Sequence, residues 1–277
     1  MSIELGKFNT LEVVKTVDFG VYLDGKEEGE ILLPTRYVPE NCVPGDLLNV
    51  FLYLDNEERL IATTLTPLVQ VGEFACLEVA WVNEFGAFLN WGLMKDLFVP
   101  FREQKMKMQV GKSYVVHAHI DEESYRIVAS AKIERYLSKE TPSYQAGAEV
   151  DILIWQKTDL GFKAIIDQQF PGLLYDSEIF QSLRTGMTLK AFVKQVRPDG
   201  KIDLILQKPG AAKVDDFASS LLDYIKEHGG AVKLNDKNPA DDIYQIFGVS
   251  KKTFKKAVGD LYKKHLIVLT DNGLKLA

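Results

Sequence analysis

The chain has little cysteine, no long apolar run and no surplus of basic charge. Its two cysteines, Cys42 and Cys76, fall in different copies of an internal repeat and make poor disulfide partners, which favours a reducing compartment. No apolar run approaches the ~20 residues that span a bilayer as a helix. The start, "MSIELGKFNTLEVV", lacks the basic opening and apolar core of a secretory signal. The expected location is the cytoplasm, with no membrane partner. Lys and Arg number 33 against 39 Asp and Glu, a net charge of −6. Proteins that coat duplex nucleic acid are usually basic, because phosphate neutralisation supplies most non-specific affinity. A broad electrostatic grip is therefore not expected. Neither a Gly-x-x-x-x-Gly-Lys-Ser/Thr phosphate loop nor a Gly-x-Ser-x-Gly elbow occurs. His117 and His119 would share one strand face with Asp121, but two ligands from one strand and an unplaced third make a weak metal site. The sequence points to no catalytic residue, no metal and no cofactor.

What is present is a threefold repeat. "VDFGVYLDGKEEGEILLP" begins at Val17 and "VNEFGAFLNWGLMKDLFVP" at Val82. They share a Phe-Gly-x-aromatic centre: Phe19, Gly20 and Tyr22, then Phe85, Gly86 and Phe88. "KTDLGFKAIIDQQFPGLLY", from Lys157, keeps Gly161 but carries Leu160 and Lys163 at the flanking positions. Gly6, Gly72 and Gly147 each lie 14 residues before the central glycine, and Gly45, Gly111 and Gly186 follow it in step. The offset is 66 residues from the first copy to the second and 75 from the second to the third. Landmarks that shift together at such a period mark duplicated domains. Each copy holds four or five short β runs in about 65 residues, split by glycine, proline and acidic turns. A closed barrel removes the exposed edges that so small a sheet would leave. A five-stranded OB-type barrel is the natural candidate; a small sandwich fits the strand pattern as well.

From Pro209 the β periodicity stops. In "VDDFASSLLDYIKEHGG", Asp215 or Asp216 is placed to cap a helix whose apolar stripe is Phe217, Leu221, Leu222 and Ile225. Pro239 and two aspartates open a short helix through Phe247, Gly248 turns the chain, and Ser250 caps a helix from about Lys251 to Lys264. Phe254, Ala257, Val258, Leu261 and Tyr262 form its buried face, which leaves Lys251, Lys252, Lys255 and Lys256 on the other side. "LIVLTDNGLKLA" reads as a hairpin with Asn272-Gly273 at its tip. Helix, helix, turn, helix, hairpin is the order of a winged helix-turn-helix, whose third helix can enter a major groove.

Residues 209–277 hold 11 Lys/Arg against 9 Asp/Glu, or +2, so the repeats carry −8. Single-strand binding depends less on charge, because bases also stack on aromatic rings. Arg36, Arg59, Arg102, Lys105, Lys107 and Arg126 are the local cations placed to fix a backbone beside Phe19, Tyr22, Phe85 and Phe88. Strict alternation in "VDFGVYL" puts Phe19 and Tyr22 on opposite faces. A bulge at Gly20, and again at Gly86, is expected to bring each pair to the same side. Trp81, Trp91 and Trp155 are expected to be packing residues.

"DFGVYL" and "EFGAFL" resemble the ribosomal protein S-one type RNA-binding domain, an OB-fold barrel. The resemblance implies that Phe19 and Tyr22, and Phe85 and Phe88, stand on the barrel surface and stack on RNA bases. Where that family has a histidine ending a Gly-Leu-Val-His segment on its third strand, this chain has Pro34, Pro100 and Tyr175. Three such barrels before a winged helix, with "LLP" and "FVP" on the third strands, are similar to the bacterial conserved virulence factor B family. That similarity implies a cytoplasmic RNA-binding protein that affects gene expression after transcription, without catalysis. The expected architecture is multidomain and mainly β. OB-type RNA-binding barrels occupy 1–66 and 67–140, a degenerate OB-type barrel 145–208, and an α+β winged helix domain 212–277, with "SAKIERYLSKETPSYQAG" as the link before the third barrel. The expected partner is single-stranded RNA, with duplex nucleic acid or protein as further partners of the winged helix. Two other readings stay open: a DNA-binding transcription regulator working through the lysine-rich helix, and a protein-interaction scaffold.

Overall fold

The structure is a computed structural model that describes residues 3–179, 181–207, 212–235, 237–270 and 273–277. Strands β1 (Phe8–Val17), β2 (Gly20–Asp24), β3 (Glu30–Pro34), β4 (Leu47–Leu54) and β5 (Leu60–Thr63) form the first closed barrel, in the order β1-β2-β3-β5-β4. The second repeats that order with β6 (Phe74–Val82), β7 (Gly86–Asn90), β8 (Leu97–Pro100), β9 (Ser113–Ile120) and β10 (Ile127–Ser130). So does the third, with β11 (Glu149–Thr158), β12 (Gly161–Ile166), β13 (Phe170–Tyr175), β14 (Thr188–Val196) and β15 (Ile202–Ile205). In each barrel the third and fifth strands pair in parallel and the other neighbours are antiparallel. Closure comes from the first strand pairing with the fourth, as Phe8–Phe51 opens the β1–β4 register. The interior follows the strand period of two. Val21 and Leu23 point inward from β2, and Ala87 and Leu89 do so from β7.

One irregularity recurs. The register between first and second strands shifts between Val13 and Lys15, between Val79 and Trp81, and between Ile154 and Gln156. Val14, Ala80 and Trp155 are thus the extra residues of three equivalent bulges. The expected bulge at Gly20 and Gly86 is corrected by this: the extra residue sits on the preceding strand. Phe19 and Phe85 lie before β2 and β7, in the turns that lead into them, so the strand's alternation does not govern them.

The glycine has a different role. A Cβ at Gly20 would lie 2.1 Å from the Leu33 carbonyl oxygen, one at Gly86 2.2 Å from that of Val99, and one at Gly161 1.9 Å from that of Leu174. The second strand starts so close to the end of the third that no side chain fits between them.

The chain divides into two compact units, Met1–Leu137 and Ser138–Ala277. In the first, Phe51 and Tyr53 of β4 join the core of the second barrel, with the Phe51 and Trp91 rings 5.8 Å apart. Part of the expected link packs as well. Ile133 is buried in a short 3₁₀ turn, Ile133–Arg135, and Tyr136 stacks on His117 of β9 at 4.1 Å.

The second unit adds α1 (Ala212–Glu227), β16 (Ala231–Val232), α2 (Ala240–Phe247), α3 (Lys251–Lys263), β17 (Ile267–Thr270) and β18 (Gly273–Leu276). The α1 stripe of Phe217, Leu221 and Ile225 packs in one core with Phe254, Ala257, Val258 and Leu261 of α3. Helix α1 begins at Ala212, so Asp215 and Asp216 lie inside it and do not precede it. Gly248 ends α2 at φ +64°, a left-handed turn suited to glycine. The Ser250 Oγ caps α3 by accepting from the Thr253 N–H at 3.1 Å. Tyr262, expected on the buried face, is exposed instead; it lies one residue round the helix from buried Leu261, on the flank of the stripe. The sheet order is β16-β18-β17. The two-residue β16 was too short to show any periodicity. Asn272, half of the expected hairpin tip, lies outside the described residues.

Candidate nucleic-acid interface

The turns before β2 and β7 each hold an exposed aromatic at the barrel surface. Phe19 is 57% exposed and Phe85 65%. Each is tied down through its backbone: the Phe19 carbonyl accepts from the Thr35 N–H at 3.0 Å, and the Phe85 carbonyl from Phe101 N–H at 3.2 Å. The Asn83 side chain also accepts from the Phe85 N–H at 2.8 Å. The third barrel makes the equivalent bond, Asp176 N–H to the Leu160 carbonyl at 3.1 Å, and holds Leu160 64% exposed. The turn therefore presents whatever side chain it bears, and only the first two barrels present a ring.

Tyr22 and Phe88 lie on the next strand, half-buried. Phe19 and Tyr22 meet edge to face at 6.3 Å. Lys15, opposite Tyr22 across the β1–β2 pair, places its Nζ 4.8 Å over the tyrosine ring and pairs with Glu30 at 2.5 Å. The equivalent of Lys15 on the second barrel is Trp81. Its indole stacks flat on Phe88, 3.7 Å between centroids at 2°, and Phe88 in turn leans on Phe98 at 4.9 Å. Trp81 is 44% exposed, which corrects its reading as a packing residue; Trp91 and Trp155 are buried. What turns it out is the bulge, which the strand read alone does not show. After inward Val79, an unbroken strand would turn Trp81 inward too, and the extra residue Ala80 turns it out. On the third barrel the pair is Gln156 and Lys163, which carries no ring.

Trp81, Phe85 and Phe88 line a cleft of about 1060 Å³, to which the first barrel contributes Tyr53, Asn56 and Glu58. Lys95 bridges the two barrels by donating to the Asp55 carbonyl at 2.7 Å.

The expected cations are largely engaged with carboxylates. Arg59 pairs with Asp55 at 2.8 Å and Glu57 at 2.9 Å. Arg102 pairs with Asp121 at 2.5 Å and Glu123 at 3.1 Å, and these contacts, Glu123 foremost, raise its pKa further. Lys105 meets Glu134 at 2.6 Å, and Arg126 meets Glu58 of the first barrel. Arg36 is exposed, with its guanidinium 4.7 Å over the Tyr37 ring. The Lys107 Nζ lies 5.8 Å from the Phe101 ring centre. On α3, Lys252, Lys255 and Lys256 are exposed, and Lys251 donates to the Asn238 carbonyl at 2.7 Å.

His117 and His119 do share a face of β9, but Tyr136 sits against both: its hydroxyl is 3.2 Å from His119 Nε2. Burial lowers both imidazole pKa values, that of His117 to about 4. Asp121 is turned to Arg102 and to the Ser124 hydroxyl. Among the described residues no three His, Cys, Asp or Glu side chains gather to hold a metal.

Comparison with known proteins agrees with this architecture. Residues 5–65 match the family model described as S1 domain, and residues 219–276 match the CvfB-like winged helix domain. The uncharacterized protein YitL of Bacillus subtilis is 30% identical over 273 residues, which is 95% of this chain and 90% of that protein. Conserved virulence factor B of Staphylococcus epidermidis is 21% identical over 272 residues, 95% of this chain and 91% of its own length. The chain belongs to the conserved virulence factor B family. A crystal structure of a multidomain protein with nucleic acid binding domains from Streptococcus pneumoniae aligns with 99% of this chain and 98% of its own, at 24% identity and a TM-score of 0.44. In this member of the conserved virulence factor B family, the three barrels differ at one spot on a common frame: Lys15 against Tyr22, Trp81 against Phe88, and Gln156 against Lys163.

Proposed function

We propose that this protein binds single-stranded RNA by base stacking on its first two barrels and regulates gene expression after transcription, in the cytoplasm and without catalysis. The observation that carries the reading is the exposure of Phe19 and Phe85 at the same turn of two barrels, Phe19 meeting Tyr22 edge to face and Phe85 lining the cleft that Phe88 also lines. The barrels do not need Phe19 and Phe85 for folding, since Leu160 holds the same turn in the third. In this reading residues 1–66 and 67–140 are the RNA-binding barrels, 145–208 is a degenerate barrel, and the winged helix of 212–277 adds contacts to nucleic acid or protein through α3. Arg36, Arg59, Arg102, Lys105 and Arg126 fix the strand's phosphates. Titration of the intact chain with single-stranded RNA, duplex RNA and duplex DNA tests the reading, with the single strand expected to bind tightest. Phe19→Ala and Phe85→Ala should each weaken single-strand binding by about 1 kcal/mol or more, on the scale of ~1–3 kcal/mol per stacked base. Both variants should melt within a few degrees of the parent. Preference for a duplex, or full RNA affinity in the folded double variant, would refute it.

A further inference from the structure

We infer that Trp81 is the principal base-stacking plate of the first unit, and that the cleft it lines takes an unstacked nucleobase of the bound strand. This rests on the single-stranded RNA reading above. The indole is the outer member of a three-ring stack, Trp81 on Phe88 on Phe98. Phe88 therefore has one face covered by Trp81 and a second contact with Phe98; both phenylalanines are half-buried, and the indole, 44% exposed, is the most exposed ring of the three. Its plane is fixed. The Nε1–H donates to Asp96 Oδ2 at 2.8 Å, and the flat contact with Phe88 sets the tilt. A plate held in this way loses little freedom when a base lies on it, and an indole offers a larger π face than phenylalanine. Trp81 also lines a cleft roomy enough for a nucleotide, together with Phe85, Tyr53 and Asn56. The other barrels have no such plate: a lysine covers Tyr22 in the first, and the third pairs Gln156 with Lys163. The second barrel thus dominates affinity, with Asp96 as a positioning residue that holds the indole.

The experiment uses the full chain and a mixed-sequence single-stranded RNA oligonucleotide. Wild-type, Trp81→Ala and Trp81→Phe proteins are compared by binding titration, by tryptophan emission and by melting. Trp81→Ala is expected to bind roughly 5- to 150-fold more weakly, the range for removal of one stacked base. Trp81→Phe keeps a ring and should recover most of that affinity. RNA should quench wild-type emission, and most of the quench should be lost in Trp81→Phe although RNA still binds, because Trp155 is buried and Trp91, which also lines the cleft, is only 3% exposed. Wild-type affinity in a folded Trp81→Ala protein, or an undiminished quench in Trp81→Phe, would overturn the inference and leave the RNA reading standing. If Trp81→Ala fails to fold, the Trp81→Phe quench decides alone. A wild-type chain that binds no RNA would overturn both.

Discussion

Gly20, Gly86 and Gly161 show how a side chain's absence can be a structural demand. Each faces a carbonyl oxygen of the third strand at a distance no Cβ tolerates, and Gly20 and Gly161 also have φ values of +153° and +147°. Gly161→Ala should therefore cost the third barrel about 2–4 kcal/mol, the sum of overpacking and backbone strain, seen as a lowered melting midpoint. The glycine persists in the third barrel, where the flanking aromatics are gone, so it marks the fold and not the binding surface. Its threefold recurrence was plain in the sequence because the spacing is regular. Its cause was not, because the contact is with a residue 13 positions away across a strand pair. His117 gives a second case. It is buried and neutral, with a folded pKa of about 4 against the usual 6.5. As pH falls from 6.5 toward 4 the unfolded chain takes up the proton first, so stability present above pH 6.5 declines across that window, by up to roughly 3 kcal/mol. Denaturant midpoints at pH 7.5 and 4.5 should differ more in wild-type protein than in His117→Phe, which keeps a ring against Tyr136 and loses the titration. An equal pH dependence in the two proteins would contradict this.

At the scale of elements, the helices were the most legible part. Helix α3 keeps its serine cap and its apolar stripe, because both are local signals written within a few residues. The α1 start was misplaced, since two aspartates inside a first turn look much like a cap before it. The bulged first strands were the least legible. A bulge is defined by its partner strand, and "LEVAW" read alone gives no sign that Ala80 is the extra residue. That one residue decides whether Trp81 belongs to the core or the surface, so the strongest stacking candidate was the one missed. Helix α3 carries a separate expectation. Lys252, Lys255 and Lys256 lie off the apolar stripe and are exposed, so replacing all three with glutamate should leave the melting temperature nearly unchanged. If α3 touches a nucleic-acid backbone, the triple variant will bind more weakly and its log-affinity against log-salt slope will flatten by about one for each phosphate that is no longer neutralised. Unchanged binding and an unchanged slope would assign α3 to protein contacts.

For the whole molecule, charge and ring placement point the same way. Among the described residues no helix is long and apolar enough to cross a membrane. The net charge of −6 fits a protein that holds its partner by a few rings and not by a coat of cations. The threefold organisation and the C-terminal domain could be read from the chain, because repeats and local helical signals survive in one dimension; the barrel class needed the Phe-Gly-x-aromatic motif, since the strand pattern alone fits a small sandwich as well. The pairing of Arg102 with Asp121 and Glu123, of Arg126 with Glu58 and of Arg59 with Asp55 could not, because it depends on which loops meet. Under the proposed reading, those pairs make strand capture an exchange reaction. Exposed ion pairs are worth only ~0–1 kcal/mol, so a phosphate can displace a carboxylate at small cost, but the carboxylate stays tethered next to the vacated guanidinium. It competes at high effective concentration for every moment of the complex. An internal rival of this kind shortens residence time more than it slows capture.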